Sequence, residues 1–154
     1  EEIDDTLLVR RSGPLQRANV KTQPYPGFPT DMQPQIATIL AVAEGTSIVT
    51  EGVWDSRFRY VEQLILMGAD IQVDGKMAVI TGVDALSPAP VKAVDLRAGA
   101  AMLIAGMMAE GVTEIEEIDH IDRGYEEVVE KFTALGADIK RVYYDENAGA
   151  LKRA

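Results

Sequence analysis

The chain has 154 residues, enough for one ordinary domain, and its 47% hydrophobic and 26% charged content excludes wholesale disorder. Its 15 Lys and Arg against 25 Asp and Glu leave a net charge of −10; an acidic surface repels nucleic acid and anionic lipid, so neither is expected as a partner. Cysteine is absent and histidine occurs once, which removes disulfides, thiolate metal sites and a cysteine nucleophile from this chain.

No signal peptide opens the sequence and its first residue is Glu1, so a piece of a longer protein is expected. Residues 1–30 read as the tail of an earlier structural unit. Two copies of a strand-helix-strand-helix-strand pattern follow. The first runs through a strand at Ala18–Gln23, a helix at Asp31–Glu44, a strand at Ser47–Glu51 and a helix at Phe58–Met67. It ends in a hairpin over Asp70–Thr81, with Asp74-Gly75 as the turn between alternating residues. The second copy runs through Val91–Val94, Leu96–Glu110, Glu114–Ile118, Tyr125–Leu135 and Ile139–Tyr144. Short strings bear out the repetition: Ala43-Glu44-Gly45-Thr46 returns as Ala109-Glu110-Gly111-Val112, and Gly68-Ala69-Asp70-Ile71 as Gly136-Ala137-Asp138-Ile139. The units therefore fall at about 17–83 and 84–145, in a domain expected to hold at least three.

The two helices of each copy differ in kind. Pro34–Ala43 and Ala98–Ala109 are apolar all round and are predicted to be buried on every side, and the second, the longest apolar run, is too short to span a bilayer. Small residues (Ala98, Gly99, Ala100, Ala101, Ala105 and Gly106) let neighbouring backbones come close, while Met102, Met107 and Met108 are expected to fill gaps. Phe58–Met67 and Tyr125–Leu135 carry one apolar stripe and one charged face, as surface helices do. One buried and one surface helix per copy implies an internal helical core with sheets outside it.

Polar residues mark the four helix starts. Thr30-Asp31-Met32-Gln33 has the form of a capping box, and Ser56, Asp95 and Asp122 are placed to cap the other three helices. Beside these caps stand Arg57, Arg97 and Arg123, in first turns where the helix dipole disfavours a cation. Asp31 and Arg97 are separated by 66 residues, as are Arg57 and Arg123, so they occupy equivalent slots. If the copies bring these ends together, three guanidiniums and free backbone N–H groups form a phosphate or carboxylate site inside an acidic protein. The plainer reading pairs each arginine with a neighbouring Asp55, Asp95 or Asp122. Asp31 beside such a pocket could serve as a general base, or simply complement the helix dipole. The dipole and the arginines should keep it ionised and weaken it as a base. His120 reads as a hydrogen-bonded structural residue, and the acidic stretch Glu110–Glu130 as a solvated face.

At these same residues the chain resembles a known family, the UDP-N-acetylglucosamine enolpyruvyl transferases, also called UDP-N-acetylglucosamine 1-carboxyvinyltransferases. The matching stretches are residues 24–33 (PYPGFPTDMQ), 53–58 (VWDSRF), 95–100 (DLRAGA) and 120–126 (HIDRGYE), in the family order, and the resemblance runs from about Val20 to Val142. It implies an α/β fold, an inside-out barrel of two domains each built from three βαβαββ units. Residues 1–154 are then the C-terminal part of one such domain, and the N-terminal part of the same enzyme is missing. The implied activity is transfer of enolpyruvyl from phosphoenolpyruvate to the 3-hydroxyl of UDP-N-acetylglucosamine, the first committed step of peptidoglycan synthesis in the cytoplasm. No cofactor and no metal are implied.

By the same resemblance, Asp31 matches the aspartate that contacts the sugar hydroxyl and is proposed as a base. Val53 matches a residue whose backbone contacts the sugar nucleotide. Arg97 and Arg123 match the arginines that hold the phosphate and carboxylate of the phosphoenolpyruvate-derived group, and Arg57 a further arginine of the cleft. Trp54-Asp55-Ser56 departs from the common Phe-Glu-Asn, and the family's mobile loop and N-terminal lysine belong to parts outside this chain. The alternative is a non-catalytic sugar-nucleotide-binding or structural homologue.

Overall fold

A computed structural model describes residues 2–3, 5–8, 10–145 and 150–153. The chain enters through two short antiparallel strands, β1 (Glu2–Ile3) and β2 (Thr6–Leu7). Strand β3 (Asn19–Lys21) then leads to a single 3-10 turn, Thr30–Met32, which runs into helix α1 (Gln33–Leu40). Strand β4 (Thr46–Thr50), helix α2 (Val61–Leu66) and the hairpin β5 (Asp70–Asp74) and β6 (Met77–Thr81) follow. These strands form one four-stranded sheet in the order β3-β4-β6-β5. β3 and β4 are parallel (Asn19 opposite Ile48), joined over α1, whereas β6 is antiparallel to both its neighbours. Asp74 pairs with Met77, so the two-residue turn is Gly75-Lys76, one step beyond Asp74-Gly75. Gly75 takes φ 56°, where a residue without Cβ carries no steric penalty.

The second half repeats the parallel crossover. Strands β7 (Pro90–Lys92) and β8 (Glu114–Glu116) pair in parallel, with Val91 opposite Ile115, and α3 (Leu96–Met108) connects them. Helices α4 (Asp119–Asp122) and α5 (Val128–Ala134) come next, then the antiparallel pair β9 (Val142–Asp145) and β10 (Ala150–Arg153). The strand expected from Ile139 thus begins at Val142, and the short helix α4 was not expected at all.

The two apolar helices pack against each other at the centre. No residue of α1 is exposed, and of α3 only Met107 is, at 44%. Met102 is fully buried in the core, whereas the exposure of Met107 corrects the expectation that it fills a gap there. Ala37, Leu40, Ala98, Ala101 and Ala105 bring the helices together, and Val49, Ala78 and Ile80 from the sheet close over them with Val61 and Leu64 of α2 and Met67 just after it. The alternating burial of β4 and β6 follows: one face meets the helices and the other meets solvent. At Gly99 α3 comes close to α4, since a Cβ there would lie 2.5 Å from Cγ1 of Ile121. A smaller cluster of Ala93, Leu103 and Ile121 gathers Tyr125, Val128 and Phe132 beneath the surface helix α5. No described helix is long and apolar enough to cross a membrane.

Candidate functional site

Of the four expected caps, one forms. Asp95 has extended backbone, and its Oδ1 accepts the N–H groups of Arg97 and Ala98, both at 2.9 Å. This fixes Arg97 in the first turn of α3, against the dipole, as expected. Thr30 does not cap: its hydroxyl is drawn instead to Glu51 Oε2 at 2.9 Å. Gln33 does not reach back either; its amide is buried, without a hydrogen-bond partner among the described residues. Ser56 sits at φ 56°, outside the extended region an N-cap requires, and α2 starts five residues later. Asp122 is the last residue of α4, and its two carboxylate oxygens accept both Nη groups of Arg141, at 2.8 and 2.5 Å. That fork holds the Asp122 carboxyl below its usual range. Arg123 therefore stands at the C-terminal end of α4, where a cation suits the dipole, because the helix begins at Asp119 and the left-handed Glu127 interrupts it before α5.

Three of the candidate residues meet. Asp31, on the 3-10 turn before α1, accepts from Arg97 Nε at 2.5 Å through Oδ1, and Arg57 Nη2 lies 3.8 Å from the same oxygen. The start of α1, the start of α3 and the turn before α2 thus converge on one point, across 66 residues of sequence in the Asp31–Arg97 pair. The hydrogen bond from Arg97, aided by the charges of Arg97 and Arg57, outweighs partial burial and lowers the Asp31 pKa. The aspartate's side chain is 58% exposed, so the cluster is open to a solute. Arg57 also lies over the exposed Trp54, its guanidinium carbon 5.8 Å from the ring centroid. Of the neighbours considered as plain ion partners, Asp55 holds Lys76 and Asp122 holds Arg141.

Arg123 is engaged elsewhere: its Nη2 donates to His120 Nδ1 at 2.8 Å, three residues back on the same short helix. His120 is thus hydrogen-bonded, with Nδ1 as the acceptor. Val53 follows β4, and its N–H is turned inward to Glu51 Oε1 at 2.8 Å.

Glu51 is the residue that sequence reasoning passed over. At 1% exposure it accepts from Thr22 Oγ1 at 2.7 Å, Thr30 Oγ1 at 2.9 Å, Val53 N at 2.8 Å and Trp54 N at 3.1 Å. Burial pushes its pKa up, but the hydrogen bonds from Thr22, Val53, Trp54 and Thr30 together bring it below the ordinary glutamate value. The charge of Glu51 acts in turn on buried Tyr60, whose phenol is pushed up first by burial and then by that carboxylate.

Comparison with known proteins matches the chain to a defined group. The profile of the EPSP synthase (3-phosphoshikimate 1-carboxyvinyltransferase) family matches residues 1–132. A protein of Caldanaerobacter subterraneus subsp. tengcongensis named UDP-N-acetylglucosamine 1-carboxyvinyltransferase 3 is 57% identical over 142 residues, covering 92% of this chain and 34% of that protein. A UDP-N-acetylglucosamine 1-carboxyvinyltransferase of Desulfofundulus thermocisternus is 48% identical over 99% of this chain and 63% of its own length. The solved enolpyruvyl transferase NikO from Streptomyces tendae superimposes with a TM-score of 0.77 at 30% identity, over 94% of this chain and 31% of that one. The chain thus spans about a third of the length of the first of these relatives and of the solved structure. The fold is the one these enzymes share, the inside-out α/β barrel. With the profile match over most of its length, the chain belongs to the EPSP synthase (3-phosphoshikimate 1-carboxyvinyltransferase) family.

Proposed function

We propose that this chain is part of a cytoplasmic UDP-N-acetylglucosamine enolpyruvyl transferase, serving peptidoglycan synthesis and through it cell shape and division. Residues 1–154 are the C-terminal part of one barrel domain, with units at about 17–83 and 84–145, and the N-terminal part completes the cleft. The reaction moves the enolpyruvyl group of phosphoenolpyruvate onto the sugar 3-hydroxyl and releases phosphate. The single observation that carries this reading is the Asp31 carboxylate held by Arg97 and Arg57 at the junction of three elements. An exposed carboxylate beside two cations suits a step in which a hydroxyl loses a proton while an anionic partner is bound.

In this reading Arg97 is held by Asp31 until the substrate's phosphate or carboxylate takes over the guanidinium. Loss of that hydrogen bond lets the Asp31 pKa rise toward the ordinary value, so its basicity grows once the anion is in place. Arg123 supplies a second grip on the same anion, exchanging His120 for it, and Arg57 supports the site from its place over Trp54. Val53 meets the sugar nucleotide through its carbonyl, since its N–H is already given to Glu51. The test is phosphate release by the complete enzyme: it should require both phosphoenolpyruvate and UDP-N-acetylglucosamine, and the 154-residue chain alone should release none. A complete enzyme that binds the sugar nucleotide but never releases phosphate would refute catalysis.

A further inference from the structure

We propose that Glu51 is a positioning residue, a single buried carboxylate that sets the Asp31 turn and the Val53–Trp54 loop relative to each other. This rests on the enolpyruvyl-transfer reading and extends it to a residue that touches neither substrate. Three segments, two of them 21 and 29 residues before Glu51 and one directly after it, end on its two oxygens. Oε2 takes the hydroxyl of Thr30, the residue before Asp31. Oε1 takes the Thr22 hydroxyl from the end of β3 and the N–H groups of Val53 and Trp54. Thr22 is itself fully buried, and its Oγ1 accepts the Gly52 N–H at 2.8 Å, closing the ring around the carboxylate.

All four donors are neutral hydroxyls and amides. A buried carboxylate so held is costly to place but rigid once satisfied, because its two oxygens are fixed between them by partners on different segments. The loop has no slack either: a Cβ on Gly52 would lie 2.3 Å from the Thr22 carbonyl oxygen. The Thr30 arm and the Val53–Trp54 arm bear on different parts of the reaction. The first aims the base, and the second places the backbone that meets the sugar nucleotide and the Trp54 ring beneath Arg57.

The two arms make separable forecasts for the complete enzyme, read as steady-state phosphate release. Glu51→Ala frees both segments and should lower kcat/KM for the sugar nucleotide by about a hundredfold, the scale of an ångström's misplacement at a reacting centre. Glu51→Gln should regain most of that, because its carbonyl can still accept from both amides while its NH2 donates to a reoriented Thr30 hydroxyl. Thr30→Val cuts only one arm and should lower kcat by about tenfold with the sugar-nucleotide KM unchanged. Near-normal kcat and KM in Glu51→Ala overturn the proposal, and so does a Gln variant as impaired as the Ala one, which would mean the charge acts rather than the geometry. Should Glu51→Ala fail to fold, an unaltered kcat in Thr30→Val overturns it as well. An inactive wild-type enzyme refutes the underlying activity, whereas an active wild type with indifferent variants refutes the positioning role alone.

Discussion

Replacing Asp31 by asparagine separates two roles that the structure ties to one oxygen atom. The substitution keeps the size of the side chain and its ability to accept a hydrogen bond, while removing the base and its charge. Turnover should fall by about a hundredfold or more, the usual scale for loss of a general base. Anion binding should move the other way. Arg97 now spends its Nε–H on Asp31, and Arg57 stands 3.8 Å from the same oxygen. Neutralising the aspartate removes the charge that holds both, so they yield more readily to the incoming phosphate or carboxylate. With the Asp31 side chain 58% exposed the pair is well screened, so the competing interaction is worth about 1 kcal/mol or less, which is about fivefold in affinity. Calorimetric titration of the complete Asp31→Asn enzyme with phosphoenolpyruvate should therefore show equal or slightly tighter binding beside the collapsed kcat. A tenfold weaker affinity would refute the reasoning, because Asp31 would then be holding Arg97 in place for the anion rather than competing with it. Near-normal turnover would reduce Asp31 to a residue at a helix start.

Arg97→Ala and Arg123→Ala in the complete enzyme should each weaken phosphoenolpyruvate binding without unfolding the protein, and lysine should restore it only partly because it lacks the planar fork; a lowered melting temperature with unchanged affinity would assign the arginines to stability instead. Asp95→Ala removes the acceptor of the Arg97 and Ala98 amides and should cost about 1 kcal/mol in urea denaturation, with weaker anion binding as the first turn of α3 loosens. Gly99→Ala forces a Cβ against Ile121 and should cost about 1–3 kcal/mol, seen as a lower melting temperature, while Gly13→Ala, which meets nothing within 4 Å, should leave it unchanged.

The central helix pair was legible in the sequence because burial on every side leaves a plain mark, an apolar run with no polar face. Alternation likewise located the β5–β6 hairpin, since the period of two is imposed by one buried face. Helix boundaries were less legible where tertiary contacts overrode local preference. Thr30 has the residue type of a cap, yet its hydroxyl serves a carboxylate 21 residues away. Ser56 and Glu127 take left-handed backbone that nothing in their side chains announces, and each delays the helix expected beside it. The short helix α4 left no periodic trace because four residues are too few to carry one.

The candidate site divides along the same line. Asp31, Arg57 and Arg97 were readable because the pattern puts each beside a helix start; Arg97 breaks a local rule there that the fold explains by bringing opposite charges together, whereas Arg57 lies in the turn before α2. Arg123 was read by the same rule, but its helix starts earlier than the pattern suggested, so at its true position no rule is broken and its guanidinium rests on His120. Glu51 obeys every local preference at the end of an ordinary strand, and only its burial, together with donors 29, 21, 2 and 3 residues away, sets it apart. Charged groups placed to meet an anion are exposed, which can put them in conflict with local preference and make them visible. A group that aims them can lie within a buried polar network, satisfied by partners from other segments, and it becomes visible only once those segments have been brought together.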